Sequence, residues 1–561
     1  MEYRLKHTAE NPLYVVFPPA ITTFAFETAE KICCLVERLS GIRPVRTTSP
    51  SVPEGSAAIT VADPRFPETR DALASLNYGE CLTHFPAENL LCISTHTEDT
   101  LPAAYGLLER NLSRGEGCVV CAGGIAGRKI SLPGYLKYIK PIAAGTQVAC
   151  RESHDSCSQV VVTDVGREDF DAYVRELSAS GFADLYRFEA AGNIFHRLEK
   201  EGCSAYLYHT SFNRTARILA EPAENAPLER RESFIPSVCR PLMTVIGARW
   251  SDTATYLNKD AGSGNMGYIF RLEDGSFIAV DGGMELGDYA EKMLALMEEQ
   301  SPAGQKPRVR CWFISHTHID HSGAFLKIAA KYPDRVTVDE VACNFPSIRD
   351  AEIFREAWNT RRIKEAVYRL PGTKFTKLHT GQSLSVGGAE VTVLWTQDDL
   401  VRQYLSLGNA TLNTASVCLR LEIGGSSVLL PADCDETANG IMLQMWGDFL
   451  KSDILQVCHH GGWGGTTEFY AAVDPALAIF STSDELLPMY LQIQYNHDLV
   501  YGMNVREVHN NADRCRVFSL PYTPPAKKIL PPDPAGDILY TKAKQLEALA
   551  QIDTLRGETK A

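Results

Sequence analysis

The chain has 561 residues, enough for about two to four domains, with 45% hydrophobic and 22% charged residues, as in an ordinary globular protein. Its formal net charge is −14. The chain therefore has no overall positive charge to attract nucleic acid, although this net charge is compatible with a local basic groove. No apolar run reaches the roughly 18 residues of a membrane helix, and Met1 is not followed by a signal-peptide pattern. We therefore expect a cytoplasmic protein without a membrane partner, its sixteen cysteines reduced and mostly buried.

The N-terminal part is predicted to hold two small units without chemistry of their own. Residues 1–140 alternate strand-like runs with helical patterns, the last at 100–112, which predicts a small α/β domain. Residues 141–236 are predicted to be a small α+β module with a linker, because a helical pattern at 169–177 precedes several strand-like runs. No constellation of catalytic residues occurs in the second of these units, so we expect it to bind a partner, recognise substrate or only cover the catalytic domain.

Residues 237–525 are predicted to form the catalytic domain, followed by a helical tail at 526–561. A hairpin pattern over residues 268–280 ends in Asp281 and two glycines, which permit close backbone approach. A buried strand is predicted for residues 309–314.

Directly after that strand, three of the chain's fourteen histidines fall within six positions, in the pattern His316-x-His318-x-Asp320-His321. Imidazole suits zinc, iron and copper, and carboxylate suits hard cations. Neighbouring ligands of this kind can divide between two ions about 3.5–4 Å apart. The pattern therefore predicts a metal site in a loop between a strand and a helix.

Three polar motifs follow further along the chain. Asn413-x-x-Ser416 precedes a predicted hairpin whose second strand leads to Asp433, and the next predicted strand leads to the pair His459-His460. These polar side chains are further candidates for a functional site.

The histidine motif resembles the signature of the metallo-β-lactamase-fold hydrolases, which implies an αββα four-layer fold for residues 237–525. The Asn-x-x-Ser motif and the aspartate after the hairpin are similar to the soluble hydrolase domain of ComEC-type competence proteins. Two positions depart from that pattern, since Ala432 and Gly462 stand where those relatives carry glycine and serine.

The resemblance also implies roles for individual residues. The implied metal ligands are His316, His318, Asp320, His321, Asp433 and His459. The residues implied to act on substrate are Asp320, His460 and Asn413. The residues implied to brace the site by hydrogen bonds are Asp281, Ser416 and His497. Sequence does not separate His459 from His460, and we favour His459 as the ligand because it lies directly at the strand end. Asp433 would bridge two ions.

The resemblance implies one more histidine ligand between the metal loop and the bridging aspartate. The only histidine in that stretch is His379, which precedes a predicted hairpin and so stands in the wrong place. The first ion would therefore lack one histidine. Water, Asp398, Asp399 or Asn413 would complete it. We expect one or two zinc ions, with manganese or iron as alternatives.

The predicted function is a metal-dependent hydrolase that uses a metal-bound hydroxide on a phosphoester or phosphodiester. One alternative is an esterase or lactonase acting on a small metabolite. Another is a binding or regulatory protein with a remnant metal site. The substrate is expected to be a small molecule or phosphoester, and the oligomeric state is left open.

Overall fold

The computed structural model describes residues 2–19, 23–131, 134–154, 156–228, 237–247, 265–353, 356–400, 412–484, 486–511 and 515–534. These residues form two compact units. One is Met1–Leu185 with Arg197–His209 and Asn213–Ala223, and the other is Tyr186–His196 and Thr210–Phe212 with Glu224–Ala561. The predicted tail helix falls mainly on residues 535–561, outside the described residues, and residues 526–534 contain no helix. The three predicted domain boundaries stay predictions.

The first unit is mixed α/β, in line with the predicted class. Its six-stranded sheet runs in the order Val45–Thr47, Tyr14–Val16, Ala58–Val61, Leu90–Thr95, Glu80–Ala87, Arg128–Ser131. A three-stranded sheet runs Glu2–Lys6, Cys118–Ala122, Leu112–Gly115. The helices are Thr23–Ser40, Pro67–Leu73, Leu101–Asn111 and Arg167–Ala179. Further strands are Thr146–His154, Cys157–Thr163, Cys203–Thr210 and Thr215–Pro222, while Ala183–Ala190 and Asn193–Lys200 supply residues to both units.

The second unit contains two large sheets. The first sheet has eight strands, in the order Lys374–Lys377, Glu340–Cys343, Arg308–Ile314, Phe277–Asp281, Gly267–Arg271, Leu242–Val245, Arg516–Ser519, with Thr337–Val338 paired beside Arg308–Ile314. The second sheet has seven, in the order Ser383–Val386, Ala389–Trp395, Cys418–Ile423, Ser426–Leu430, Ile454–Gln456, Leu477–Phe480, Glu507–Asn510. In both sheets an antiparallel half continues into a parallel half.

Helices flank this pair of sheets. They are Tyr289–Gln300, Ile319–Lys331, Ile348–Ile353, Ala357–Arg369, Glu436–Trp446, Thr467–Val473, Leu487–Tyr490 and Gln494–His497. One buried apolar cluster contains residues of both sheets, among them Phe270 and Ile278 from the first sheet and Leu421 and Val428 from the second. A second cluster lies between the other side of the first sheet and its helices.

The outer side of the second sheet is covered in the same way. The indole of Trp446, at the end of helix Glu436–Trp446, donates a 2.7 Å hydrogen bond to the carbonyl of Leu394 in strand Ala389–Trp395. The layers of this unit are therefore helices, sheet, sheet and helices, and the predicted α/β class is confirmed.

The parallel halves bring several strand ends to one edge of the sandwich. Parallel strands point their carboxyl ends the same way, and the loops that leave those ends build sites in open α/β sheets. Asp281 ends its strand, Ser315 follows Ile314, and the loops after Leu430 and Gln456 carry the remaining predicted ligands.

Within the described part of the chain, no helix is both long and apolar enough to span a membrane. All sixteen cysteines are free.

Candidate metal centre

The histidine loop links a strand end to a helix start. It leaves strand Arg308–Ile314 and enters helix Ile319–Lys331, so Asp320 lies in the first helical turn, where the helix dipole favours a carboxylate. His316 and His318 flank the turn, with Nε2 of the first 3.0 Å from Nδ1 of the second. The predicted loop between strand and helix is therefore present.

Asp281 holds this loop from the neighbouring strand. Its carboxylate accepts three hydrogen bonds of 2.8 Å, from the backbone N–H of Ser315, from the hydroxyl of Ser315 and from Nδ1 of His321. Because Nδ1 of His321 donates here, its Nε2 keeps the lone pair that a metal needs. The predicted bracing role of Asp281 agrees with these contacts.

Asp433 lies at the centre of the site on a short turn after strand Ser426–Leu430. Ala432 before it has φ +52, in the left-handed region that glycine adopts more readily than alanine. The side chain of Gln456 holds this turn, accepting from Ala432 N at 2.7 Å and donating to its carbonyl at 3.1 Å.

Four imidazoles surround the Asp433 carboxylate. Their Nε2 atoms lie 3.3 Å (His321), 3.6 Å (His459) and 3.7 Å (His316) from Oδ2, and 3.5 Å (His460) from Oδ1. We call Asp320, Asp433 and the five histidines 316, 318, 321, 459 and 460 the histidine cluster.

The paired histidines occupy different places. His460 donates from Nδ1 to the carbonyl of Ser481 at 3.0 Å, and its Nε2 lies 3.3 Å from Asp320 Oδ2. His459 instead lies 3.4 Å from the Asn413 amide nitrogen. Both histidines have positive φ, 45° and 60°, and this turn directs both rings to the same carboxylate. The geometry places His460 beside Asp320 and His459 beside Asn413, and the choice of His459 as the metal ligand stays a prediction.

Charge in the cluster is unevenly distributed. Burial lowers the pKa of His321, but the carboxylates of Asp433 and Asp281 outweigh it and raise that pKa well above its ordinary value. Burial likewise lowers the pKa of His460, yet the nearby carboxylates of Asp433 and Asp320 outweigh it and raise that pKa to about 9. Buried carboxylates that favour a neighbouring positive charge to this degree provide a site for a cation.

The donor set fits a transition-metal ion. Among the described residues, His321 Nε2, His460 Nε2 and Asp433 Oδ1 are buried without a hydrogen-bond partner, and leaving such atoms unpaired is costly. Two triads bring ligand atoms within 4.8 Å of one another, His316–His321–Asp433 and Asp320–His321–His460. Imidazole and carboxylate together suit zinc, manganese or iron, and the two groups agree with one or two ions.

The other predicted site residues fall into two groups. Asn413 lies at the cluster, with its amide oxygen buried and unpaired among the described residues, and Ser416 is buried and accepts at its carbonyl from the Cys434 thiol at 3.5 Å. His497 instead pairs with Asp533 at 3.1 Å, and no described hydrogen bond or ion pair joins it to the cluster. The structure thus brings Asn413 and Ser416 to the site and leaves His497 away from it.

The candidates for the missing ligand are also separated. Asp398 accepts from His379 Nδ1 at 2.8 Å and from Asn344 Nδ2 at 3.0 Å, in a buried network of its own. Asp399 accepts from Thr380 at 2.7 Å. Asn413 is the candidate that the structure places beside the histidine cluster.

Two buried asparagines that support the site had no assigned role in the sequence. Asn359 donates to the carbonyl of Thr317 within the histidine loop, and Asn496 donates to the carbonyl of Gly461 at 2.7 Å. Neither lies near its partner in sequence, and a lone asparagine gives no signal of such a contact.

No protein-family model matches the chain, and no curated protein matches it. Solved structures match at low similarity. The diiron β-hydroxylase CmlA from Streptomyces venezuelae is 12% identical over 64% of this chain and 79% of that one, with a TM-score of 0.29. A CmlA point mutant is matched over only 53% of its length, at 15% identity, 46% of this chain and TM-score 0.28.

Two further structures are described as metal-dependent hydrolases. A Thermotoga maritima protein described as a zinc-dependent hydrolase of the metallo-β-lactamase superfamily is 11% identical over 51% of this chain and 96% of that one, with a TM-score of 0.23. A Veillonella parvula protein described as a metal-dependent hydrolase is 12% identical over 46% and 100%, with a TM-score of 0.27. Similarity at this level does not assign the chain to a family.

We expect Asp281→Asn to weaken metal binding by about 10–100-fold, because an amide cannot accept all three hydrogen bonds that hold Ser315 and His321. Competition with a chromogenic chelator measures the affinity. Asp288→Asn is the matched control, since Asp288 is half exposed and forms an ion pair with Lys292 across one helical turn. Equal affinities for the two variants would contradict the bracing role.

Proposed function

We propose that this chain is a metal-dependent hydrolase of the metallo-β-lactamase fold that acts on phosphoesters or phosphodiesters. The observation that carries the proposal is the convergence of His321 Nε2, His460 Nε2 and Asp433 Oδ1, which are buried and unpaired among the described residues. A bound cation would lower the pKa of a water molecule toward about 7 and polarise the bond under attack.

The residues of this chain divide into an inner and an outer set. The side chains of His316, His321 and His460 are at most 3% exposed, whereas that of His459 is 25% exposed. His459 and its neighbour Asn413 therefore face the open side. We propose that the inner imidazoles hold metal and that these two side chains donate hydrogen bonds to the substrate.

The phosphoester substrate is supported by the sequence pattern and by the charge arrangement. The motif Asn413-x-x-Ser416 with Asp433 is ComEC-like, and two adjacent ligand groups suit the in-line displacement that two-ion phosphoesterases perform. An esterase or lactonase is the second candidate. A remnant site is disfavoured, because a site that no longer bound metal would have no reason to keep unpaired buried nitrogens.

We expect purified protein to carry one or two transition-metal ions per chain and, loaded with zinc or manganese, to hydrolyse bis(p-nitrophenyl) phosphate faster than lactones or thioesters. The reason is the buried donor set described above. Elemental analysis and a parallel substrate screen measure both. Only trace metal with no uptake would contradict the metal site, and a preference for lactones would favour the second candidate.

A pair of histidine variants sharpens that experiment. His316→Ala removes a ring within 3.7 Å of Asp433 and should lose metal, whereas His497→Ala removes a ring paired with Asp533 and should keep it. Equal metal loss in both would show that the measurement reports unfolding.

A further inference from the structure

An exposed tryptophan directly follows the histidine cluster. Residues 461–465, Gly-Gly-Trp-Gly-Gly, come after His460, and we call them the Trp463 loop. Trp463 is 59% exposed. Of the other four described tryptophans, Trp358 is 51% exposed, and Trp312, Trp395 and Trp446 are completely buried. A large apolar ring exposed next to a candidate active site indicates a contact surface.

The Trp463 loop is held on both sides of its tryptophan. Asn496 donates to the carbonyl of Gly461 at 2.7 Å, and the buried side chain of Asn439 donates to the carbonyl of Gly464. Both amides come from elements distant in sequence. They fix the backbone while the indole between them remains exposed.

The glycines of the loop are tightly packed. A Cβ added at Gly461 would lie 2.5 Å from the ring of Phe480, and one at Gly464 would lie 2.5 Å from the carbonyl oxygen of Cys434. Both positions have positive φ, 91° and 90°. Such a loop has little freedom to move, so Trp463 is presented in one place.

That place is the edge of the metal centre. The loop starts beside His460, whose Nε2 lies 3.3 Å from Asp320, and Gly464 packs against Cys434, the residue after Asp433. The loop thus spans the two segments that carry the downstream ligands. Trp463 therefore lies three residues after His460, on a loop anchored at the metal centre.

We propose that Trp463 stacks on a planar aromatic ring of the substrate, so that the preferred phosphoesters carry an aryl group or a nucleobase. This inference rests on the proposed function. A flat indole on a rigid loop loses little entropy on stacking, and removal of a stacking aromatic typically weakens nucleotide binding by about tenfold or more.

The test compares ligands that share a phosphate and differ in the ring. Zinc-loaded full-length protein is titrated by calorimetry with adenosine 5′-monophosphate, phenyl phosphate and methyl phosphate. We expect the first two to bind about tenfold more tightly than the third, and Trp463→Ala to abolish that preference while leaving methyl phosphate binding unchanged. Trp463→Phe should retain most of it.

Tyr368→Ala is the matched control. Tyr368 is an 84% exposed aromatic residue near the end of helix Ala357–Arg369, outside the Trp463 loop. It should change nothing. No preference in the wild type, or equal weakening of all three ligands by Trp463→Ala, would overturn the stacking role. Metal content and hydrolysis are measured on the same samples. Metal-dependent hydrolysis without a ring preference rejects this inference alone, and a ring preference without hydrolysis rejects only the proposed function.

Discussion

Asp433→Asn is expected to lose at least one metal ion and about 10²-fold or more of the hydrolytic activity. Its carboxylate lies within 3.7 Å of four imidazoles, and no other carboxylate in the described cluster does so. The substitution keeps size and shape but removes the charge. Two cations a few ångströms apart repel each other, and a neutral amide oxygen cannot offset that repulsion. Metal analysis and steady-state kinetics measure both effects.

Asp435→Asn is the control for this change. Asp435 is the N-cap of helix Glu436–Trp446, where it accepts from Ala438 N at 3.0 Å, and asparagine caps helices about as well as aspartate. The variant should keep metal and activity. If the two variants behave alike, Asp433 is not the bridge between the ions.

Gly323→Ala is expected to destabilise the second unit and weaken its metal site. In most helices glycine to alanine stabilises, by up to about 1 kcal/mol. Here, however, a Cβ on Gly323 would meet the backbone of Met284 and Glu285, with the carbonyl oxygen of Gly283 only 2.7 Å away. Overpacking of this kind costs about 1–3 kcal/mol, and backbone cannot rotate aside as a side chain does. Thermal unfolding and metal affinity together measure the loss.

Gly440→Ala is the matched control. Gly440 lies inside helix Glu436–Trp446, and a Cβ there would meet nothing within 4 Å. Alanine should therefore leave stability unchanged or raise it by up to about 1 kcal/mol. If Gly323→Ala were as stable as the wild-type protein, the backbone near Glu285 would have to be free to move away from the added methyl group.

Sequence alone determined the parts of this protein whose signals are local. The spacing His316-x-His318-x-Asp320-His321 lies between a strand and a helix that their own patterns predict, and the structure has both. The hairpin ending in Asp281 is local in the same sense. A periodic apolar pattern and a ligand motif are written within a few consecutive residues, so they can be predicted without the fold.

Tertiary structure decided which distant groups meet. The sequence left both Asp398 and Asn413 as candidates for a further metal ligand. Only the fold shows that Asp398 accepts a hydrogen bond from His379, whereas Asn413 lies beside His459. The fold also pairs His497 with Asp533.

The different surroundings of His459 and His460 also come from the fold. Two successive positive-φ residues turn one ring to Asn413 and the other to Asp320. Which neighbour each ring meets depends on a backbone turn and on the partner carbonyl of Ser481, which comes from another strand end. Sequence neighbours share chemistry, but burial, distance and tautomer are properties of the assembled sheet edge, and these are what divide a metal ligand from a substrate contact.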